Sequence, residues 1–327
     1  MIDAGQMRLE AVPDWPEVPE EVVFVEAVGV AVDSQDRVFV FARADVPVLV
    51  FESDGTFVTG WGEGMFVRPH GITMGPDETV YLVDDMGHSV RHFSLDGEFI
   101  RTIGPSGQPS ETGVQGFDHR TIHDSAGPPF NLPTNLVIGP EGNFFVSDGY
   151  GNARVHRFSA DGELLLSWGA PGDLPGQFNV PHGLGTDGQR IFVADRENSR
   201  VQIFSPDGEL LSIWSDVARP AQVFVAADRM VYVFELGFHT GLFPWQSQDK
   251  SRPGGRMSVF DLDGQLVARW GGHGRPTEYD GFYAPHDVVL DSSGNIYTAE
   301  VKTAAAKSVG DDTSSLPSLR KFARISG

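Results

Sequence analysis

Cysteine is absent from the 327 residues, which excludes disulfides and thiolate metal ligands and suits a reducing compartment. No apolar run reaches membrane-spanning length, and residues 1–20 lack a basic stretch followed by an apolar core. Neither an anchor nor a secretory signal is therefore expected, and a cytoplasmic location is. Positive charge is scarce: 24 Lys and Arg stand against 45 Asp and Glu, for a formal charge of −21. That field repels nucleic acid and anionic lipid, so no nucleic acid and no membrane partner is expected. A small anionic substrate would have to be gripped by a few local arginines working against it. What the chain does have is ordinary globular material, 40% hydrophobic and 21% charged, enough for a sizeable core. Its length exceeds the usual domain, yet all-β propellers and barrels often run this long as one unit.

Internal similarity supplies the organisation. A unit that begins at a proline and ends in Asp-Gly plus a short hydrophobic strand recurs at residues 69–104, 133–169 and 181–215. Weaker copies start near Ala27, at Pro220 and at Pro285, giving six. Within each copy, β-rich runs such as 80–83, 144–146 and 191–193 are separated by Gly, Asp, Asn and Pro. The pattern reads as four antiparallel strands per unit. One such sheet cannot bury both faces alone, so the units pack radially into a ring. The expected fold is all-β, a six-bladed β-propeller occupying residues 1–327 as a single domain. The last copy ends in LRKFARI with nothing left for an outer strand. An N-terminal closing segment, residues 1–26 with MRLEAV at 7–12, is expected to complete that blade and remove an open edge. Residues 105–130 and 237–255 break the spacing and are expected as loop insertions over one mouth of the channel.

Three copies carry Pro-His at one position: His70 in RPHGI, His182 in VPHGL and His286 in APHDV. They are the second, fourth and sixth units, while the third has Thr134 there and the fifth Ala221. The residue entering the innermost strand of a blade faces the propeller axis, so alternate blades would set three imidazoles around it. Zinc is the leading candidate, because catalytic zinc sites use three protein ligands and keep a fourth position open. An all-imidazole set also fits copper, nickel or iron. The competing view is a Pro-His-Gly turn signature repeated by descent. The remaining histidines, His88, His92, His119, His123, His156, His239 and His273, lack this phase and read as surface or loop residues. Asp84, Asp148 and Asp195 recur at equivalent strand ends, which points to a turn role and not to catalysis.

These residues resemble the peptidyl-α-hydroxyglycine α-amidating lyases (peptidylamidoglycolate lyases), NHL-repeat propellers, over about residues 28–322 and most densely over 132–204. The resemblance implies zinc on His70, His182 and His286. It also implies a catalytic tyrosine, Tyr150 in SDGY, and two substrate-binding arginines, Arg196 in ADREN and Arg43 in VFVFAR. A structural calcium is implied on Asp287 with the carbonyls of Val30 and Ile72. Departures are the missing cysteines, Gly151 after the tyrosine, and Ala284 before Pro285, where the animal enzymes place a bulkier methionine. The implied reaction splits an N-acyl-α-hydroxyglycine, or a related α-hydroxy acid derivative, into an amide and glyoxylate, with the hydroxylating enzyme upstream a separate protein.

Each implied residue also has a plain structural reading. Tyr150 could pack between blades, Arg196 could pair with Glu197 or Asp195, Arg43 could be a solvated strand-end charge, and Asp287 could cap a turn. Two rival functions stand beside the lyase. One is a metal-dependent hydrolase such as a lactonase, whose sites lean on carboxylate and Asn ligands. The other is a noncatalytic NHL scaffold that binds a partner on its ring face.

Overall fold

Runs of β-branched and aromatic residues become short strands wherever Gly, Asp, Asn or Pro bounds them. The computed structural model describes residues 1–5, 7–123, 129–277 and 279–325. Two strands, β1 (Ile2–Ala4) and β2 (Met7–Val12), precede the first blade, which holds β3 (Phe24–Val32), β4 (Val38–Ala44), β5 (Val48–Phe51) and β6 (Phe57–Trp61). The second blade holds β7 (Pro69–Gly75), β8 (Thr79–Asp84), β9 (Ser89–Ser94) and β10 (Phe99–Ile103). The third holds β11 (Pro133–Ile138), β12 (Phe144–Asp148), β13 (Arg154–Phe158) and β14 (Leu164–Trp168). The fourth holds β15 (Pro181–Thr186), β16 (Ile191–Asp195), β17 (Arg200–Phe204) and β18 (Leu210–Trp214). The fifth holds β19 (Pro220–Val225), β20 (Val231–Glu235), β21 (Arg256–Phe260) and β22 (Leu266–Gly271), and the sixth opens with β23 (Pro285–Leu290), β24 (Ile296–Glu300) and β25 (Leu319–Arg324). These six sheets are the six-bladed β-propeller expected from the repeats.

The sixth sheet runs β1-β2-β25-β24-β23. Leu9 and Val12 of β2 pair with Arg324 and Lys321 of β25, so the N-terminal strand completes the last blade at residues 7–12 as expected. The repeat gave no sign of β1, which adds a further strand with Ile2 and Ala4 buried. The helix α1 (Lys302–Val309) between β24 and β25 was also unforeseen. Residues 105–130 join β10 to β11, with one 3-10 turn at His119–Thr121 among the described residues, and residues 237–255 join β20 to β21. Of the expected loop insertion and closing segment, residues 124–128 and Gln6 lie outside the described residues.

By internal packing the chain forms two compact units, residues 64–223 and residues 1–63 with 224–327. In the first, apolar side chains interleave between neighbouring blades: Tyr81, Val83 and Val90 of the second meet Leu136, Phe144 and Phe158 of the third. Phe145 and Val155 of the third meet Leu184, Ile191 and Phe204 of the fourth. In the second unit, Met7 and Leu9 of β2 are buried with Phe234 and Met257 of the fifth blade and with Ile296 and Phe322 of the sixth. Val40, Leu49 and Phe51 of the first blade pack with Tyr297 and Leu319 of the sixth.

The aspartates that end equivalent strands do hold turns. Asp84 accepts the backbone N–H groups of Val67 and Arg68, both at 2.9 Å, Asp148 that of Asn131 at 2.9 Å, and Asp195 that of Asn179 at 2.7 Å. Glu300 does the same for Tyr283 at 2.7 Å and Ala284 at 3.0 Å. Each carboxylate thus clamps the chain just before the proline that starts an inner strand, which fixes where the next residue emerges. Two histidines read as surface or loop residues prove to be buried strand residues. His92 lies in β9, stacked on Tyr81 at 3.9 Å between ring centroids, and His156 lies fully buried in β13 beside Ser167 and Asp148. A polar side chain on a buried strand position is tolerated when its ring stacks or its nitrogens are bonded.

Candidate metal centre

His70, His182 and His286 are the second residues of β7, β15 and β23, and all three are buried. In residues 64–223, His70 donates from Nδ1 to the Thr134 carbonyl at 2.6 Å, and His182 donates from Nδ1 to the Ala221 carbonyl at 2.8 Å. In the other unit, His286 donates from Nδ1 to the Val28 carbonyl at 2.5 Å. The alternation along the repeat therefore has a structural sense. Each Pro-His unit bonds the next blade's inner strand, where Thr134, Ala221 or Val28 offers a carbonyl and no imidazole. With the proton held on Nδ1, each ring keeps its lone pair on Nε2, the tautomer a metal ligand needs. The His70 and His182 ring centroids are 5.0 Å apart, and with His286 these residues form a group that could hold a metal ion. Neutral, buried imidazoles suit a divalent transition ion better than calcium or magnesium, which prefer oxygen.

Tyr150 follows β12 and is buried at 6% exposure. Its hydroxyl lies 3.2 Å from His70 Nε2 and 3.0 Å from His182 Nε2, and it accepts from Arg196 Nη1 at 3.3 Å. One phenol thus reaches two candidate ligands and one guanidinium at once. Arg196 follows β16 and is fully buried, its guanidinium carbon 5.4 Å from the Tyr150 ring centre. Arg196 Nε donates to Glu197 at 2.8 Å, and Arg219 donates to the same carboxylate at 3.0 and 3.1 Å. Two guanidiniums on one carboxylate leave this buried cluster with a net charge of +1, the sign an anionic substrate requires.

Burial works against the Arg196 charge, but Tyr150 and Glu197 outweigh it and hold its pKa above the ordinary arginine value. Burial likewise lowers the Arg219 pKa, with Glu197 opposing. For Glu197, burial raises the carboxyl, yet Arg219 and Arg196 overcome it and bring it down to about 2. A depressed carboxyl stabilises the fold above its unfolded value, here 4.5, and that stability is lost as pH falls toward 2. At about 1.4 kcal/mol per pH unit the loss amounts to about 3 kcal/mol. Asp195, which burial raises to about 6, acts oppositely but is present in every variant and cancels in a difference. Urea unfolding of wild type and Glu197→Gln from pH 7 to pH 3 checks this. The stability difference between them should narrow progressively below about pH 4.5, and a difference constant with pH would refute the assignment.

Arg43 sits in β4 and forms an ion pair with the buried Glu26, which also accepts the backbone N–H groups of Thr303 at 2.8 Å and Ala304 at 2.9 Å at the start of α1. Arg43 is therefore held by a carboxylate and is no solvated strand-end charge. Asp287, beside His286, accepts the Val30 N–H at 3.0 Å and that of Val288 at 2.9 Å, so Asp287 and Val30 are neighbours through an N–H. Ile72 is buried in β7, paired with Leu82. The pairing of Arg196 with Glu197 was among the sequence readings, but sequence reasoning missed Glu26, the sharing of Glu197 and the second guanidinium, Arg219. A signal for Arg219 existed: Arg-Pro enters the inner strand at Arg219-Pro220 as it does at Arg68-Pro69. Arg219 holds a left-handed φ of 50°, as Leu132 and Val180 do before their own prolines, at 61° and 60°. Such backbone costs about 1–3 kcal/mol per residue and persists where the surroundings enforce it.

A family model described as NHL repeat matches residues 178–204, and another described as 6-bladed beta-propeller matches residues 19–106. The chain is similar to the peptidyl-alpha-hydroxyglycine alpha-amidating lyase 1 of Drosophila melanogaster, with 34% identity over 153 residues, 42% of this chain and 25% of that protein. It is also similar to the fly's peptidyl-alpha-hydroxyglycine alpha-amidating lyase 2, at 25% identity over 89% of this chain and 72% of that protein. The chain spans about a quarter of the length of the first of these relatives. Among solved structures, a gluconolactonase from Xanthomonas campestris shares the fold with a TM-score of 0.60, at 14% identity and over 99% of each chain. The likeness to amidating lyases read from the residues is thereby matched by similarity to proteins of that name.

Proposed function

We propose that the chain is a zinc-dependent lyase that splits an N-acyl-α-hydroxyglycine, or a closely related α-hydroxy acid derivative, into an amide and glyoxylate. The observation that carries this reading is the Tyr150 hydroxyl, within hydrogen-bond reach of two candidate ligand nitrogens and of Arg196. His70, His182 and His286 would hold the zinc, which when bound supplies a Lewis acid that lowers the pKa of a hydroxyl at the site. Arg196, backed by the +1 cluster, grips the substrate carboxylate, and Arg43 is a second candidate for that role. The chemistry needs no added water. The substrate hydroxyl loses its proton, its C–O bond becomes the carbonyl of glyoxylate, the C–N bond breaks, and the amide nitrogen regains a proton. Tyr150 is placed to relay that proton to nitrogen, its oxygen lying 3.2 and 3.0 Å from the two histidine nitrogens and accepting from Arg196 Nη1. A structural calcium at Asp287, a cytoplasmic location and a separate hydroxylating partner upstream belong to the same proposal.

Protein purified without an affinity tag tests this directly. About one zinc per chain is expected, with glyoxylate released from N-benzoyl-α-hydroxyglycine and no comparable hydrolysis of gluconolactone. Lactone hydrolysis without glyoxylate would replace the lyase with the hydrolase, and neither activity with no bound metal would leave the scaffold.

A further inference from the structure

The described residues of the insertion, 105–123 and 129–130, are tied down at several points. Asn131 Nδ2 donates to the Ser110 carbonyl at 2.9 Å and to Thr112 Oγ1 at 3.1 Å, and the Ser110 N–H reaches the Phe130 carbonyl at 2.9 Å. Thr112 is buried at 1% exposure, and the His123 N–H bonds the Thr112 carbonyl at 2.8 Å, so residues 112–123 close into a loop. At its turn, Asp118 accepts the Arg120 N–H and both Nε and Nη2 of the same arginine, at 2.7–3.1 Å.

Two side chains of this turn meet the machinery described above. The Phe117 ring stands edge-on to Tyr150, centroids 6.0 Å apart and planes at 78°. Arg68, anchored to buried Asp85 at 3.1 Å, covers Phe117 with its guanidinium carbon 4.7 Å from the ring centre and reaches the Tyr150 ring at 5.8 Å. His119 interacts electrostatically with Glu197 and Arg196. A cavity of about 440 Å³ is bounded by His119 and Ile122 of the turn and by Ala153, Phe178, Asn179 and Val180 among others. That volume lies within the roughly 300–1,000 Å³ typical of small-molecule sites. Asn179 and Val180 are the residues whose carbonyls accept the N–H groups of Glu197 at 3.0 Å and Arg196 at 3.1 Å, so the cavity backs onto the anion-binding cluster.

From this juxtaposition we infer that residues 117–122 form the wall of an acyl-group subsite, in which Phe117 and Ile122 present an apolar and aromatic surface to the substituent on the substrate's amide carbonyl. The inference rests on the lyase reading for the identity of the substrate, but the subsite itself belongs to binding and not to turnover. An aromatic acyl group gains edge-to-face contact with Phe117 or apolar contact with Ile122 in the cavity, whereas an acetyl group reaches neither. The chain should therefore prefer benzoyl over acetyl substrates.

The test uses unreactive ligands that lack the α-hydroxyl. N-benzoylglycine and N-acetylglycine are titrated by calorimetry into zinc-loaded wild type, Phe117→Ala and Ile122→Trp. Wild type should bind the benzoyl ligand about tenfold more tightly. Phe117→Ala should lose most of that ratio while N-acetylglycine affinity changes by less than about twofold, and Ile122→Trp, which fills the cavity from the loop side, should lose it as well. Equal loss of both ligands in Phe117→Ala would show that Phe117 only supports Tyr150 and would overturn the subsite, as would absence of N-benzoylglycine binding to wild type. Failure of the lyase reading looks different: the binding ratio would stand while N-benzoyl-α-hydroxyglycine released no glyoxylate.

Discussion

Replacing His70 and His182 together by alanine is expected to remove the bound zinc and to cut glyoxylate release by several orders of magnitude, leaving a folded chain. Two of three ligands go, and the one remaining imidazole, His286, cannot hold a transition ion at the concentrations a cell or a buffer supplies. The structural cost is separable. Each substitution leaves a buried carbonyl, Thr134 or Ala221, without its Nδ1–H partner, at about 1–3 kcal/mol apiece. That is a large share of the 5–15 kcal/mol typical of a domain, so circular dichroism and urea unfolding must accompany the assay. Asparagine at either position gives a second variant whose side-chain amide can still donate to the carbonyl while offering no imidazole nitrogen. A folded double-asparagine protein with neither zinc nor glyoxylate release isolates the ligand role, and one that still releases glyoxylate at the wild-type rate sinks the metal mechanism.

Much of this was legible in the residues because the signals are periodic. In every blade but the first, Pro-X heads the inner strand and a carboxylate ends the second strand, and the structure shows why. Asp84, Asp148, Asp195 and Glu300 clamp the entry of Pro69, Pro133, Pro181 and Pro285. The same period exposed the histidines on alternate blades and the shortage of a strand in the last one. What escaped was aperiodic. Glu26 lies far in sequence from α1, yet its carboxylate accepts the helix's first N–H groups and pairs with Arg43. Phe117 sits in a Gly- and Pro-rich insertion, and no local pattern tells a pinned loop from a solvated one. His156 was misread because it lacks the Pro-His phase, although it occupies a strand position where Ser167 and Asp148 satisfy both ring nitrogens. Arg219 was within reach, since Arg-Pro at a strand entry repeats, but its role depends on Glu197, a contact 22 residues away that only folding creates.

Tyr150→Phe and Arg196→Met should both impair the reaction, and in different parameters. The phenylalanine keeps the ring against His70 and Phe117 and removes only the hydroxyl, so kcat should fall about 10²–10⁴-fold with KM nearly unchanged, the signature of lost proton transfer. Arg196→Met leaves Glu197 paired with Arg219, which keeps the buried carboxylate neutralised but turns the cluster from +1 to zero. A charge-assisted bond to the substrate carboxylate is worth about 1.5–3 kcal/mol, so KM should rise about 10–100-fold. Arg196→Lys should recover little of this, because a point charge lacks the guanidinium fork. The 3.3 Å bond from Arg196 Nη1 to the Tyr150 oxygen makes a third quantity informative. If Arg196 serves only the carboxylate, the losses in kcat/KM add in the double variant. If it also tunes the phenol, the double variant falls short of that sum by about 1 kcal/mol or more, since a hydroxyl already removed cannot be tuned. Additivity would confine Arg196 to binding, and a shortfall would make it a member of the proton-transfer pair.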